Sequence, residues 1–95
     1  MELELNKWYK SEEIDDFKTK RVCYFKPEYV DDLIGFYQGV YVREVEYKDG
    51  DIGLDITQDN IIYGDETNKY YLIDKLTAQE EIHFIIEKTE EKLFY

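Results

Sequence analysis

The chain has 95 residues, a formal net charge of −11 and a sequence pI of about 4.4. Its length predicts one domain over 1–95, and its 43% hydrophobic and 17% aromatic content excludes a disordered chain. The strong negative charge argues against direct binding to nucleic acid, because contact with the phosphate backbone depends on Lys and Arg.

The cysteine content and the apolar runs narrow the protein class further. Cys23 is the only cysteine, which excludes an intramolecular disulfide and a cysteine-based zinc site. The first five residues hold acids where a secretory signal would hold bases. Unbroken apolar runs are at most a few residues long, against the roughly 20 residues that span a bilayer. These features predict a cytoplasmic protein without a membrane partner.

The first segment is predicted to be a strand followed by a short helix. Leu3–Tyr9 begins with apolar and acidic residues in alternation, as a half-buried strand does. Ser11 is a suitable N-cap for a helix over Glu12–Phe17, whose acids would lie near the positive end of the helix dipole.

The next segment repeats the same order of elements. Val22–Phe25 is typical of a buried strand. Pro27 suits the first turn of a second helix over Glu28–Ile34, and Gly35 is a natural residue to end that helix.

The clearest local signal is a β-hairpin. Val40–Tyr47 and Ile52–Thr57 are rich in β-formers and flank Asp49-Gly50, the preferred pair for a two-residue type I′ turn. A second hairpin is predicted between Ile61–Tyr63 and Tyr70–Ile73 across a polar segment.

The two-residue turn also predicts which side chains share a face. Val45 would lie opposite Leu54 on a buried apolar face. Glu44 would lie opposite Asp55, so that Glu44, Glu46, Asp51 and Asp55 share the exposed face. Like charges directly opposite each other are unfavourable. This face has two interpretations, a solvated sheet face or an acidic patch that binds a cationic partner.

The last segment has two interpretations. Thr77–Glu80 fits a capping box, and apolar residues recur after it at helical spacing, which favours a helix over residues 77–93. The alternative is a strand over Ile82–Ile86 that turns into Leu93–Tyr95. With either ending the predicted fold class is α+β, a mostly antiparallel sheet of about four to six strands with two or three helices.

Negative charge is concentrated in the middle of the chain. Pro27–Glu66 holds eleven acids and two bases, whereas Met1–Lys26 is balanced at six of each. The predicted partner-binding residues are carboxylates and tyrosines of this block: Glu44, Glu46, Asp51, Asp55, Asp31, Asp32, Asp59, Asp65, Glu66, Tyr37 and Tyr63. The alternative is a solvated face on an acidic protein.

No catalytic motif occurs in the chain. Cys23 and His83 are the only candidates for a Cys/His nucleophilic pair. Each lies in an apolar run, which is typical of a buried structural thiol for Cys23 and of a core or boundary residue for His83. An EF-hand pattern starting at Asp49 fails, because Gly53 stands where an acid is required. We therefore expect a non-enzymatic protein with no metal site and no cofactor.

In composition the chain resembles two groups of small acidic proteins. These are phage-encoded inhibitors that mimic nucleic acid, such as anti-restriction and anti-CRISPR proteins, and immunity proteins that neutralise nuclease toxins. The resemblance implies an inhibitor of a basic protein such as a nuclease, a polymerase or a CRISPR effector. The alternative is a phage or bacterial interaction or assembly module, acidic for solubility only, for which a homodimer is one option.

Overall fold

The computed structural model describes the backbone of residues 3–62 and 65–94, and the side chains of these residues except 59, 60, 62, 65 and 66. Among them, five strands form one antiparallel sheet and a long helix follows the last strand. The elements are β1 (Trp8–Ile14), β2 (Lys20–Asp31), β3 (Phe36–Glu46), β4 (Ile52–Ile62), α1 (Asp65–Asn68), β5 (Tyr71–Ile73) and α2 (Lys75–Phe94).

The sheet is a four-stranded meander with one added strand. Its order is β4-β3-β2-β1-β5, and every neighbouring pair is antiparallel. The chain leaves β4 at one edge of the sheet and adds β5 beside β1 at the other edge. The predicted hairpin between Ile61–Tyr63 and Tyr70–Ile73 is therefore wrong, since the described parts of these segments lie at opposite edges.

The predicted fold class, with two or three helices on the sheet, is wrong. The described residues hold one long helix, α2, and the single turn α1. The segment predicted as a helix over Glu12–Phe17 forms the end of β1 and the start of the connection to β2. Ser11 is a buried strand residue opposite Cys23 and not an N-cap. Helix propensity is a weak preference, and the pairing of β1 with β2 overrides it.

The helix predicted over Glu28–Ile34 is also wrong, because β2 continues through Pro27 to Asp31. A bulge at this point places Pro27 opposite Gly39 and Tyr29 opposite the preceding residue of β3. The described pairing of β2 with β1 ends at Phe25. Pro27, which has no N–H, therefore lies beyond this pairing, and no hydrogen bond to β1 is lost there.

Gly39 has a steric role at the bulge. A Cβ at this position would lie 2.0 Å from the backbone oxygen of Lys26 and 2.8 Å from the Cα of Pro27. Only glycine allows β3 to approach β2 this closely.

Strands β3 and β4 pair antiparallel, as predicted, but in a register shifted by one residue. Arg43 lies opposite Asp55, and Glu44 lies opposite Leu54. A shift of one residue moves the side chains of one strand to the other face relative to its partner. Glu44 and Asp55 therefore lie on opposite faces of the sheet, and the predicted acidic face does not form.

The turn explains the shift. Tyr47 N donates a hydrogen bond to Asp51 O at 2.9 Å, and Gly50 N donates to Tyr47 O at 2.9 Å. Gly50 has a φ of 90°, which is the left-handed conformation. This is a three-residue loop that ends on a left-handed glycine, whereas the prediction assumed a two-residue type I′ loop.

Helix α2 confirms the helical interpretation of the last segment. It begins three residues earlier than the capping box predicted, because Asp74 is the N-cap: its Oδ1 accepts a hydrogen bond from Thr77 N at 2.7 Å. Within the described residues, no helix combines the length and the apolar content needed to cross a membrane.

The sheet has a hydrophobic cluster on each face. Beneath α2, buried Ile85 belongs to one cluster with Val22, Tyr24 and Val42. On the opposite face the cluster consists of Leu3, Tyr9, Cys23, Phe25, Tyr37, Ile61 and Tyr70. We call the face covered by α2 the helix face.

Candidate interaction surface

Glu44, predicted to be exposed, is buried on the helix face. It is only 7% exposed, and Lys88 Nζ of α2 lies 2.8 Å from its Oε2. The contact is an ion pair rather than a directed hydrogen bond, since Oε2 has no hydrogen-bond partner among the described residues. Glu44 thus anchors α2 to the sheet and is not available as a surface residue.

Asp55 lies on the opposite face and pairs with Arg43 in the neighbouring strand. Arg43 Nη2 donates to Asp55 Oδ2 at 2.5 Å, and this hydrogen bond raises the pKa of Arg43. The predicted repulsion between Glu44 and Asp55 is therefore wrong, because each carboxylate has its own cation.

The other predicted carboxylates are dispersed over the molecule. Glu46 and Asp51 are exposed beside the turn between β3 and β4. Asp31 is the last residue of β2, at the other end of the sheet, where its Oδ1 accepts from two backbone N–H groups of the turn between β2 and β3 at 3.0 Å. Asp32 is exposed in that turn. The side chains of Asp59, Asp65 and Glu66 lie outside the described residues.

Of the two tyrosines predicted as exposed anchors, only Tyr37 lies among the described residues. Tyr37 is 3% exposed, and its hydroxyl accepts a hydrogen bond from Leu3 N at 2.9 Å. The prediction for Tyr37 as an exposed anchor is wrong, because the N-terminal segment lies over this part of the sheet. Tyr63 lies outside the described residues.

The inner side of α2 carries a second set of fixed charges. Lys10 Nζ of β1 donates to Glu81 Oε1 and lies 3.1 Å from Glu12 Oε1. Tyr24 OH donates to the same Glu81 oxygen at 2.7 Å. Burial would raise the pKa of Glu81, but the hydrogen bonds from Lys10 and Tyr24 outweigh it and lower the pKa. Glu81 is therefore held in its charged form as an anchor of the helix.

The outer side of α2 is different, because its carboxylates face solvent. Four exposed glutamates lie there: Glu80, Glu87, Glu90 and Glu91. No ion pair to any of them occurs in the part of the chain that the structure describes. The aromatic rings of Phe84 and Phe94 are largely exposed beside them.

The sequence interpretation missed these glutamates because it looked for acids in the middle block. A signal was present: positions 80, 87 and 91 recur at intervals of seven and four, which places them on one side of a helix. That signal depends on the helical interpretation of the segment, which the sequence left open.

Helix α2 and the turn between β3 and β4 meet at one end of the molecule. Lys92 Nζ donates to Gly50 O of this turn at 2.7 Å. We call the exposed carboxylates of these two elements, together with Glu46 at the adjoining end of β3, the acidic surface; it consists of Glu46, Asp49, Asp51, Glu80, Glu87, Glu90 and Glu91. Tyr47, 50% exposed, and Phe94, 73% exposed, belong to the same two elements.

Cys23 and His83 lie on different sides of the molecule. Cys23 is buried on the face opposite α2, with its Sγ 3.0 Å from Tyr41 OH. His83 is exposed on the outer side of α2, so the prediction of a core or boundary position is wrong. These two residues do not form a nucleophile and base pair.

Comparisons with protein-family models, with curated proteins and with solved structures found no match. The surface of the molecule is therefore the basis for inferring its function.

Proposed function

We propose that the protein is a non-enzymatic inhibitor or sequestering protein that binds a basic, nucleic-acid-handling protein through the acidic surface. Its carboxylates would form ion pairs with the Lys and Arg side chains that bind phosphates in the partner. The partner class is one whose groove is lined with cations, such as a nuclease, a polymerase or a CRISPR effector.

The hydrogen bond from Lys92 to Gly50 is the observation that carries this proposal. Without it, the glutamates at the end of α2 and the aspartates of the turn between β3 and β4 would be two separate groups. With it, Glu90 and Glu91 share one end of the molecule with Asp49 and Asp51. A basic groove could then contact carboxylates from both elements at once.

The distribution of the cations also supports the proposal. Among the described residues, five bases are ion-paired to acids: Lys10, Arg21, Arg43, Lys69 and Lys88. All five bases pair with an acid in another segment of the chain, whereas the glutamates on the outer side of α2 form no described ion pair. The seven exposed carboxylates of this surface thus carry part of the negative charge of the chain.

Exposed apolar groups next to the acids would supply the short-range part of the binding. Phe94 and Tyr47 offer rigid rings of the kind that dominates binding energy at interfaces. The carboxylates would speed association, and the rings would slow dissociation.

The test is surface plasmon resonance against a partner captured from host lysate, at low and high salt. The triple variant Glu87→Gln, Glu90→Gln and Glu91→Gln should slow association about tenfold and reduce its dependence on salt. Phe94→Ala should mainly speed dissociation.

The matched control neutralises three exposed acids away from the acidic surface: Glu4→Gln, Asp16→Asn and Glu28→Gln. It changes the net charge by the same amount and should change association by about twofold or less. Equal losses in both triple variants would show that only net charge matters. Unchanged binding in the first variant would place the interaction elsewhere.

A second candidate function is an interaction or assembly module that binds through apolar contacts, as the turn between β2 and β3 suggests. Leu33 is 99% exposed and Ile34 is 75% exposed, although the Asp31 carboxylate holds the backbone N–H of both. Under this function Leu33→Ser would abolish capture of the partner, and the captured complex would withstand high salt. Under the first function the opposite holds for both results.

A further inference from the structure

A cavity at the edge of the sheet is lined by three lysines that form no described ion pair. It has a volume of about 600 Å³ and lies where the N-terminal segment, β1, β5 and the start of α2 meet. This volume falls within the range of about 300–1,000 Å³ in which proteins bind small molecules. The cavity shares no residue with the acidic surface.

Three lysines line the cavity: Lys7, Lys26 and Lys75. They come from the N-terminal segment, from β2 and from α2, so that the fold rather than the local sequence brings them together. None of them forms an ion pair with a described acid, in a chain that has 23 acids. Three unneutralised cations around one cavity favour an anionic occupant.

The carboxylates that line the cavity do not neutralise these lysines. Asp74 is occupied as the N-cap of α2: its two oxygens accept from Thr77 N at 2.7 Å and from Thr77 Oγ1 at 3.0 Å. Glu4 is the other acid of the lining, and its side chain is exposed. The lining thus has three cations and two carboxylates, and one of these carboxylates, that of Asp74, is already bound to the N-terminus of α2.

The remaining wall is apolar and aromatic. The half-buried ring of Trp8 lines the cavity together with Leu72 and Ile73 of β5. Lys26 Nζ lies over the Trp8 ring, 5.8 Å from its centre, so a cation is adjacent to the apolar part of the lining. The N-terminal wall is fixed to β2, because Asn6 N donates to Pro27 O at 2.7 Å.

We propose that this cavity binds a small phosphate monoester with an aromatic or aliphatic body. Its phosphate, with a charge near −2 at neutral pH, matches the three ammonium groups of Lys7, Lys26 and Lys75. Its body packs against Trp8 and against Ile73, which lies opposite Trp8 on the same face of the sheet. A carboxylate carries one charge and satisfies this set of donors less well.

Trp8 makes the proposal directly testable, because it is the only tryptophan in the chain. Its fluorescence, excited where tyrosine does not absorb, reports on the cavity alone. The probes are phenyl phosphate, inorganic phosphate and phenol, with isothermal titration calorimetry as a second measurement. Phenyl phosphate should saturate the signal and bind about tenfold more tightly than inorganic phosphate, because its ring is also buried. Phenol should bind more weakly than either phosphate.

Two charge-matched double variants decide between specific binding and general charge. Lys7→Gln with Lys75→Gln should weaken phenyl phosphate binding about tenfold or more. Lys20→Gln with Lys48→Gln removes the same charge from exposed positions outside the cavity and should change binding by about twofold or less. Thermal melts check that both variants are folded.

Three outcomes would overturn the proposal. The first is no saturable binding of phenyl phosphate up to millimolar concentration. The second is an equal loss of affinity in the two double variants. The third is phenol binding as tightly as phenyl phosphate. None of these results bears on the acidic surface, so the two proposals can fail independently.

Discussion

The two sides of α2 use the same residue type for different purposes. On the inner side, Glu81 is held by Lys10 and Tyr24, and across the interface Lys88 of α2 pairs with Glu44 of β3. On the outer side, Glu87, for example, faces solvent, and no described base pairs with it.

The comparison shows that charge content does not indicate the role of a carboxylate. Burying a carboxylate is costly unless a cation and hydrogen bonds accompany it, so the inner glutamates are tied to the fold. An exposed carboxylate has little energetic effect on folding and remains free for a partner. The inner side should therefore control stability, and the outer side should control binding.

The largest expected effect is on the inner side. Glu81→Ala leaves the Lys10 ammonium and the Tyr24 hydroxyl without their shared acceptor, which should lower the free energy of unfolding by about 2 kcal/mol. The loss is smaller than for a fully buried pair, because the Glu81 side chain is 33% exposed. Urea denaturation measures it. Glu87→Ala on the outer side is the matched control and should stay within about 0.5 kcal/mol of the wild type. Equal effects at the two positions would contradict the comparison.

Glu44→Gln should have the next largest effect. It leaves the Lys88 ammonium beside a neutral amide in a buried interface, at a cost of about 1 kcal/mol. The control is Glu46→Gln, two residues further along the same face, where the side chain is exposed and no measurable loss is expected. The same urea titrations compare the two variants. A gain in stability for Glu44→Gln would contradict the ion pair with Lys88. It would instead support the repulsion between Glu44 and Asp55 that the sequence predicted.

The ion pairs on the inner side of α2 should also make the free energy of unfolding depend on pH in the acidic range. The folded-state pKa of Glu81 lies below the ordinary value of 4.5, so its stabilisation is complete above pH 4.5 and is lost as the pH falls through the lower folded-state value. Glu12, whose pKa Lys10 lowers by hydrogen bonding, acts in the same direction. The difference in unfolding free energy between wild type and Glu81→Gln should therefore shrink as the pH falls below 4.5. A difference that stays constant from pH 6 to pH 3, roughly the range that spans this titration, would argue against the ion pair.

The smallest expected effect is on the outer side. Glu87 and Glu91 are four residues apart on one helix, and like charges at this spacing repel by about 0.2–0.5 kcal/mol. Neutralising Glu87, Glu90 and Glu91 as amides should raise the thermal midpoint slightly at low salt. The gain should fade in high salt, where the repulsion is already screened. A clear loss of stability would mean that these glutamates have a structural role.

Local patterns predicted some elements correctly and failed where pairing between distant segments decided the outcome. The buried strand at Val22–Phe25 and the helix after residue 74 follow from apolar periodicity, which survives in the folded state. The helix predicted over Glu12–Phe17 had a plausible cap and good charge placement. It lost to strand pairing because Cys23 and its neighbours in β2 offer a full hydrogen-bonded ladder to that segment.

The prediction of the site failed for a more specific reason. Asp49-Gly50 is compatible with loops of two or three residues, and the difference is one residue of register. That residue decides whether Glu44 lies beside Asp55 or beneath Lys88 of α2. The sequence of the hairpin contains no information on the position of Lys88, which lies 44 residues after Glu44 in the chain.

By itself the sequence determined the charge excess, the presence of the β3–β4 hairpin and the exclusion of disulfide and cysteine-zinc chemistry, because these depend on composition or on neighbouring residues. Tertiary structure decided which carboxylates are anchors and which are displayed, since that depends on which cation each one meets after folding. It also brought Lys7, Lys26 and Lys75 to one cavity from three separate segments. Long-range contacts set both arrangements, because a charge is buried only where the whole fold supplies its partner.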